Sequence, residues 1–248
     1  MSLGSQTSYL DVSPSGPVAR SVHIPIDSLP GRLHELPERK SEFFIIGEGA
    51  PEAVEWLRQQ GWTYATLGQA AEATEGTRLW SPNPFLLRVL PDLQPGHAVD
   101  FGCGGGREAI ALATCGFQVL AVDRLLSNLD RGQNLASRFL EPELASRIEW
   151  RQCNFERSVA SLKTIDLAVS FFALDRELFR HLNRRAERLV IEAFTSVHRE
   201  TMGQPRSDTL VVEPGELPTL FPDFEVALYE EGWLRGRHTA RLYARRAL

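Results

Sequence analysis

The sequence predicts an α/β protein, and three observations carry that expectation. Residues 97–125 read HAVDFGCGGGREAIALATCGFQVLAVDRL: a short apolar run, a glycine turn, a helical stretch, a second apolar run and an acid. That is the order of a nucleotide-binding βαβ unit. Further apolar runs and helical stretches follow as far as residue 194, the pattern of strands joined by helical crossovers. A polar, small-residue stretch, GQAAEATEGTR at 68–78, separates these elements from a shorter α/β segment ahead of them. Two domains are therefore expected, 1–75 and 76–248.

In the first segment, residues 9–12 form a short strand. The run 22–26 contains Pro25, which cannot donate to a ladder, so it belongs at an edge or in an extended loop. A short helix is expected over 28–36. The run FFII at Phe43–Ile46 fits a buried parallel strand. After the turn 47–50, Pro51 opens a helix whose apolar face is Ala53, Val54 and Leu57, and Gly61 ends it. A further strand is expected at 64–67.

The motifs Leu10-Asp11-Val12, His23-Ile24-Pro25, LPGRLHELP and EAVEWLRQQGW make this segment resemble a rhodanese-like domain. Active rhodaneses place a cysteine in the loop after the Phe43–Ile46 strand; here that loop is Gly47-Glu48-Gly49-Ala50, and no cysteine precedes Cys103. Sulfur transfer needs a thiolate to carry the persulfide, so the resemblance implies a catalytically silent domain.

In the second segment Pro82 and Pro84 break the run LWSPNPFLLRVL, and a helix starts near Pro84. Strands are expected at 98–100 and 119–122, with a helix between them that closes at Gly116. A helix at 126–139 follows, then a strand at 147–151, a fully apolar strand at 166–172, a helix at 177–186 and a strand at 188–194. Residues 195–213 read as a long polar loop, a length that points to function. A final antiparallel pair is expected at 224–229 and 239–244.

Each part of the glycine turn has a chemical reason. Glycines let the backbone approach a ligand without Cβ contacts, and the helix behind them offers free N–H groups. Asp123 ends the second strand, where a carboxylate can accept ribose hydroxyls. A dinucleotide fingerprint, G-x-G-x-x-G/A, fails from Gly102, because its last position falls on Arg107; from Gly104 it passes on Ala109 but leaves Asp100 without a role. The frame Asp100-x-Gly102-x-Gly104-x-Gly106 instead sets a carboxylate at the end of the first strand, suited to a ligand bearing an ammonium group.

This stretch resembles motif I of the class I S-adenosylmethionine (SAM)-dependent methyltransferases. The pattern FTSVHRETMGQPRSDTLVVEPGEL resembles the matching region of tellurite-resistance-type methyltransferases. The resemblance implies a Rossmann-like sheet of seven strands, one antiparallel, and SAM as cofactor. It assigns cofactor contacts to Asp100, Gly102, Cys103, Gly104, Gly106, Arg107, Asp123, Arg124 and Phe171. Asn154 is assigned to the adenine amine and Phe155 to its ring. Trp80, Phe172, His198 and Arg206 are the candidates for the acceptor site, with Asn83 beside Trp80. A nicotinamide-dependent oxidoreductase using the Gly104 frame, and a non-catalytic SAM-binding module, are the rival readings.

The strand end Ser170-Phe171-Phe172-Ala173 lacks the Asn/Asp-Pro-Pro-aromatic motif of nitrogen methyltransferases, which favours a small acceptor with a soft nucleophile, a thiol or a chalcogen oxyanion. Glu192 stands without the further acids of metal-dependent relatives, so no metal is expected. The net charge of −5 gives no reason to expect nucleic acid or an anionic membrane. Arg235, Arg237, Arg241, Arg245 and Arg246 read as the solvated face of a terminal hairpin. No run approaches a transmembrane length, and the first residues lack signal-peptide form. The three cysteines, 103, 115 and 153, are too few and too scattered for a disulfide framework, so a reducing, cytoplasmic setting is expected. Cys103 reads as a small residue packed beside the ligand or as a reactive thiol.

Overall fold

A computed structural model describes residues 5–19, 21–153 and 165–247. The chain divides into two compact units, Ser2–Ser81 and Pro82–Leu248. The first unit extends past residue 75 because Thr7 binds the Thr74 carbonyl at 3.0 Å and the Arg78 carbonyl at 3.0 Å, drawing that segment onto the N-terminal sheet.

The first unit has strands β1 (Tyr9–Asp11), β2 (Val22–His23), β3 (Phe43–Ile46) and β4 (Ala65–Leu67), all parallel, in the order β2-β1-β3-β4. Helix α1 (Ala50–Gln59) opens with Pro at its first turn and buries Ala53, Val54 and Leu57. The core holds Leu10, Ile24, Leu29, Phe43, Ile45 and Leu57. Burying one such side chain contributes about 1.5–3 kcal/mol. Two expectations need correction. The helix over 28–36 is a 3₁₀ segment, Ile26–Glu35, that contains Pro30 and breaks at Arg32 (φ −118°, ψ 18°); proline inside it prevents a regular α-helical ladder. The FFII strand is not wholly buried, because Phe44 is 37% exposed and stacks on Tyr9 with centroids 5.0 Å apart.

The second unit opens with α2 (Pro84–Val89), then β5 (His97–Phe101), α3 (Arg107–Thr114), β6 (Gln118–Asp123), α4 (Leu126–Phe139), α5 (Pro142–Ala145) and β7 (Ile148–Gln152). It continues with β8 (Leu167–Phe171), α6 (Arg176–Arg185), β9 (Arg188–Thr195), α7 (Ser196–Met202), β10 (Val211–Val212), α8 (Glu216–Thr219), β11 (Phe224–Leu234) and β12 (Arg237–Arg246). The main path of the sheet is β11-β12-β9-β8-β5-β6-β7. Strand β12 runs antiparallel to both β9 and β11, so it is the one reversed strand on that path. The short β10 adds an eighth strand, paired in parallel with the end of β9.

One face of this sheet, with Val99, Phe101, Val122, Leu189 and Ile191, packs against Leu178, Phe179 and Leu182 of α6. By alternation, Asp100, Phe171, Glu192, Thr239 and Arg241 lie on the opposite face. The polar stretch 195–213 is not one loop. Thr195 caps α7 by accepting from the His198 amide, and Gly203 (φ 69°) ends it. The hairpin is also longer than expected, reaching from Phe224 to Arg246. Among the described residues, no helix is long and apolar enough to cross a membrane.

Candidate functional site

The glycine turn is pinned to the neighbouring strand by backbone hydrogen bonds. The amides of Gly102 and Cys103 both donate to the Val122 carbonyl, at 2.8 and 3.0 Å, and the Gly106 amide closes the turn onto the Cys103 carbonyl at 2.8 Å. Gly104 has φ 52° and Gly106 has φ 76°. A Cβ on Gly104 would meet only the Gly102 carbonyl, at 4.0 Å, and one on Gly105 would meet nothing within 4 Å. The backbone at these two positions is therefore open to an approaching ligand. Gly106 serves a different purpose, since a Cβ there would lie 2.4 Å from the Trp150 indole. The ring of Trp150 fills the space between the start of α3 and Gly132 of α4.

Asp100 is 2% exposed, and its Oδ2 is buried with no hydrogen-bond partner. Burial, first, and then the charges of Glu108 and Asp123 push its carboxyl well above the usual carboxylate range, against a stabilising bond from the Ala109 amide. Asp123, at the end of β6, is already in use. Its Oδ2 accepts from the Gly104 amide at 3.0 Å, and its Oδ1 accepts from the Leu125 amide at 2.9 Å and from Asn128 Nδ2 at 3.2 Å. One acceptor direction remains on Oδ2. Cys103 is buried, and burial together with the charge of Asp100 pushes its thiol far up, so the reactive-thiol reading has no support. Arg107 begins α3, and Arg124 is exposed with its carbonyl accepting from Gln152 Nε2 at 3.1 Å.

Asn83 ties α2 across the site. Its Oδ1 caps the helix at the Phe85 amide (2.8 Å), its own amide donates to Glu108 Oε1 (3.0 Å), and its Nδ2 donates to Glu192 Oε2 (2.7 Å). Glu192 Oε1 accepts from Thr239 Oγ1 at 2.7 Å. Arg241 stands opposite Glu192 in the ladder and is 6% exposed, with Nε 3.7 Å from Glu230. This corrects the solvated reading of that arginine: its neighbours across the two ladders are Glu192 and Glu230, and this buried position between carboxylates suits a cation.

Beyond β8 the backbone turns sharply at Phe172 (φ 61°), and the Phe172 amide donates to the Glu192 carbonyl at 2.8 Å. The Phe172 ring packs on Phe194 (4.7 Å), Phe194 stacks on His198 (4.6 Å), and Arg237 lies over the Phe172 ring at 5.2 Å. The tip of the β11–β12 hairpin completes this cluster with Trp233, whose ring lies 6.0 Å from His198 and 5.4 Å from His238. His238 Nδ1 and Thr195 Oγ1 are 2.7 Å apart, and His198 Nδ1 accepts from the His238 amide at 3.2 Å.

The candidates read from the sequence thus fall into groups. Asp100, Gly102, Cys103, Gly104, Gly106, Arg107, Asp123 and Arg124 gather around one turn. Phe171, in register with Glu192, Phe172 and His198 gather at the ends of β8 and β9. Arg206 is exposed in the segment between α7 and β10. Trp80 belongs to the first unit, is fully buried, and has the Arg78 guanidinium over its ring at 5.4 Å, so no face of the indole is open to an acceptor. Asn154 and Phe155 lie outside the described residues. Glu192, Thr195, Trp233, Arg237 and His238 were not foreseen as site residues. The signal for the last three was their position beside the Arg235-Gly236 turn of the terminal hairpin.

A parallel sheet with one reversed strand near its edge, and a glycine turn between two strand-end acids, make this unit similar in fold to the class I methyltransferases. A family model described as tellurite resistance protein TehB matches residues 87–177. The structure of TehB from Haemophilus influenzae is similar, with a TM-score of 0.54 and 18% identity, over 67% of this chain and 63% of that one. This chain therefore spans less than two thirds of that relative. Magnesium protoporphyrin IX methyltransferase (ChlM) from Synechocystis PCC 6803, solved with S-adenosylhomocysteine (SAH) bound, gives a TM-score of 0.53 at 18% identity over 66% and 80% of the two chains. The N-methyltransferase NodS from Bradyrhizobium japonicum WM9 gives 0.52 at 15% identity over 67% and 98%. No curated protein matches the sequence.

Proposed function

We propose that this chain transfers a methyl group from SAM to a small acceptor with a soft nucleophile, a thiol or a chalcogen oxyanion. The observation that carries the reading is Asp100: a buried carboxylate oxygen with no partner, beneath a glycine turn open at Gly104 and Gly105. A buried, unpaired carboxylate oxygen is costly unless a ligand satisfies it, and the ammonium of the methionine end of SAM is such a ligand. The partial match to the TehB family model and the likeness to ChlM and NodS support the same class.

In this reading Asp100 anchors the ammonium, and the backbone from Gly102 to Gly106 lines the cofactor with Cys103 packed beneath it. The remaining acceptor direction of Asp123 Oδ2 takes one ribose hydroxyl. Arg107, Arg124 and Phe171 flank the cofactor, and Asn154 and Phe155 are assigned to the adenine. When bound, SAM supplies an electrophilic methyl on a sulfonium. The protein aligns donor and acceptor in a water-poor pocket, and Phe172, His198 and Arg206 are assigned to the acceptor side. The first unit is read as a rhodanese-like fold without its nucleophile; its parallel order β2-β1-β3-β4 supports that reading.

The test is to measure SAH formation with thiols, selenite, tellurite, small phenols, amines and tRNA. Turnover with a thiol or tellurite is expected. Turnover confined to amines or tRNA would overturn the acceptor assignment.

A further inference from the structure

We propose that His238 takes the proton of the methyl acceptor, and that the acceptor is therefore a neutral thiol rather than an oxyanion. This inference rests on the methyltransferase reading above.

His238 sits at the carboxyl edge of the sheet, because β12 runs antiparallel to β9 and pairs Thr239 with Phe194. Phe172 leaves β8 at the same edge, and β8 lies directly beside the strand that carries Asp100. The imidazole is oriented as a base must be. Thr195 is fully buried, and its hydroxyl accepts from the His198 amide at 3.4 Å, faces His238 Nδ1 at 2.7 Å and reaches the His238 carbonyl at 3.5 Å. We assign Thr195 as the acceptor from Nδ1–H, the one of the two possible tautomers that also leaves its hydroxyl proton free to point at the carbonyl. Nδ1 then carries the proton, and Nε2 is left with a lone pair. Among the described residues Nε2 has no hydrogen-bond partner, and no carboxylate pairs with the ring.

The surroundings suit a thiol. Trp233 is 50% exposed and stands edge-on to His238, and through His198 it joins the stack of Phe194 and Phe172. On α7, His198 Nδ1 accepts from the His238 amide at 3.2 Å, and Arg199 is paired with Asp208 at 3.5 Å. Glu213 is held by Ser196 at 2.7 Å, and on the hairpin itself Arg237 lies over the Phe172 ring. An oxyanion needs no base, so an oriented imidazole would be idle for it, whereas a neutral thiol must lose a proton as it reacts.

The step balances as follows. The acceptor sulfur forms a bond to the methyl carbon as its S–H proton passes to His238 Nε2. The methyl's bond to the sulfonium breaks, and its electron pair stays on that sulfur, which becomes a neutral thioether. The imidazolium then returns its proton to water.

Two measurements test this. Long-range ¹H–¹⁵N NMR on the wild-type protein at pH 8 should show His238 protonated at Nδ1 and bare at Nε2; the opposite tautomer overturns the proposal. With 2-mercaptoethanol as acceptor, His238→Gln should lower kcat/KM at pH 7 by about 10²-fold and leave calorimetric SAM affinity unchanged. That deficit should shrink as pH rises past the thiol's own pKa, where the thiolate needs no base. A deficit independent of pH, or wild-type protein that binds SAM yet never methylates this thiol, contradicts the proposal alone. Failure to bind SAM overturns the methyltransferase reading with it.

Discussion

Asn83 Nδ2 donates to Glu192 Oε2 at 2.7 Å, joining the start of α2 to the carboxyl end of β9 across 109 positions of sequence. Both side chains are buried, and Thr239 donates to the other oxygen of the same carboxylate. The helix ahead of the glycine turn is thus fastened to the sheet by a charge-assisted bond. Glu192→Ala should destabilise the protein by about 1–3 kcal/mol for each donor left unpaired. A double-mutant cycle with Asn83→Ala, read by urea denaturation, should return a coupling of about 1.5–3 kcal/mol. Additive effects would mean that the bond contributes nothing.

Asp100 should cost the protein stability and supply it with affinity. Its folded pKa lies above the ordinary value, so the folded state holds its proton to higher pH than the unfolded state does. From the ordinary carboxylate range up to the raised value, stability therefore falls as pH rises. Asp100→Asn should raise the thermal midpoint of the ligand-free protein at pH 7 and weaken SAM binding. Pairing with the ammonium favours the ionised form, so binding should release a proton over that same window. Calorimetry in two buffers of different ionisation enthalpy checks this, and an absence of net proton release would refute it.

Trp150 separates two glycines that look alike in sequence. A Cβ on Gly106 or on Gly132 would lie 2.4 Å from its ring, but only Gly106 also has a positive φ, 76°. Gly132→Ala should be destabilising and largely rescued by Trp150→Leu. Gly106→Ala should keep a residual cost of about 1–2 kcal/mol in the Trp150→Leu background, from the left-handed backbone. Equal rescue of both would show that strain at Gly106 is unimportant.

The first unit should show no thiosulfate sulfurtransferase activity. The loop after β3 is Gly47-Glu48-Gly49-Ala50, and a Cβ on Gly47 would fall 2.2 Å from Ser13 Oγ and 2.6 Å from Asp11 Oδ1. The corner is closed by packing and carries no thiolate. Thiocyanate formation from thiosulfate and cyanide by the full chain, above a heat-killed control, would contradict this.

The βαβ unit was legible in the sequence because its signals are local. Gly104 and Gly106 take positive φ within a few residues of the two acids, and each acid lies at the end of its own apolar run. The acceptor side was less legible because the chain assembles it from distant parts. The reversed strand β12 brings Trp233, Arg237 and His238 to Phe172 and Thr195, and nothing in a linear pattern announces which strand a hairpin will join. Phe172 at φ 61° likewise follows from where β8 must stop, not from its residue type. The helix Ser196–Met202 does not show in the linear pattern although Thr195 and Gly203 are ordinary caps, because its polar surface hides the helical period. Polarity also concealed the burial of Arg241, which depends on neighbours from two other strands.

The central claim is that the glycine turn and Asp100 take SAM and not a dinucleotide. Isothermal titration of the full chain with SAM, SAH and NAD tests it most directly, with Asp100→Ala run alongside. SAM and SAH should bind and NAD should not, and the substitution should weaken SAM by about 1.5–3 kcal/mol. Binding of NAD without SAM, or SAM affinity indifferent to Asp100, would contradict it.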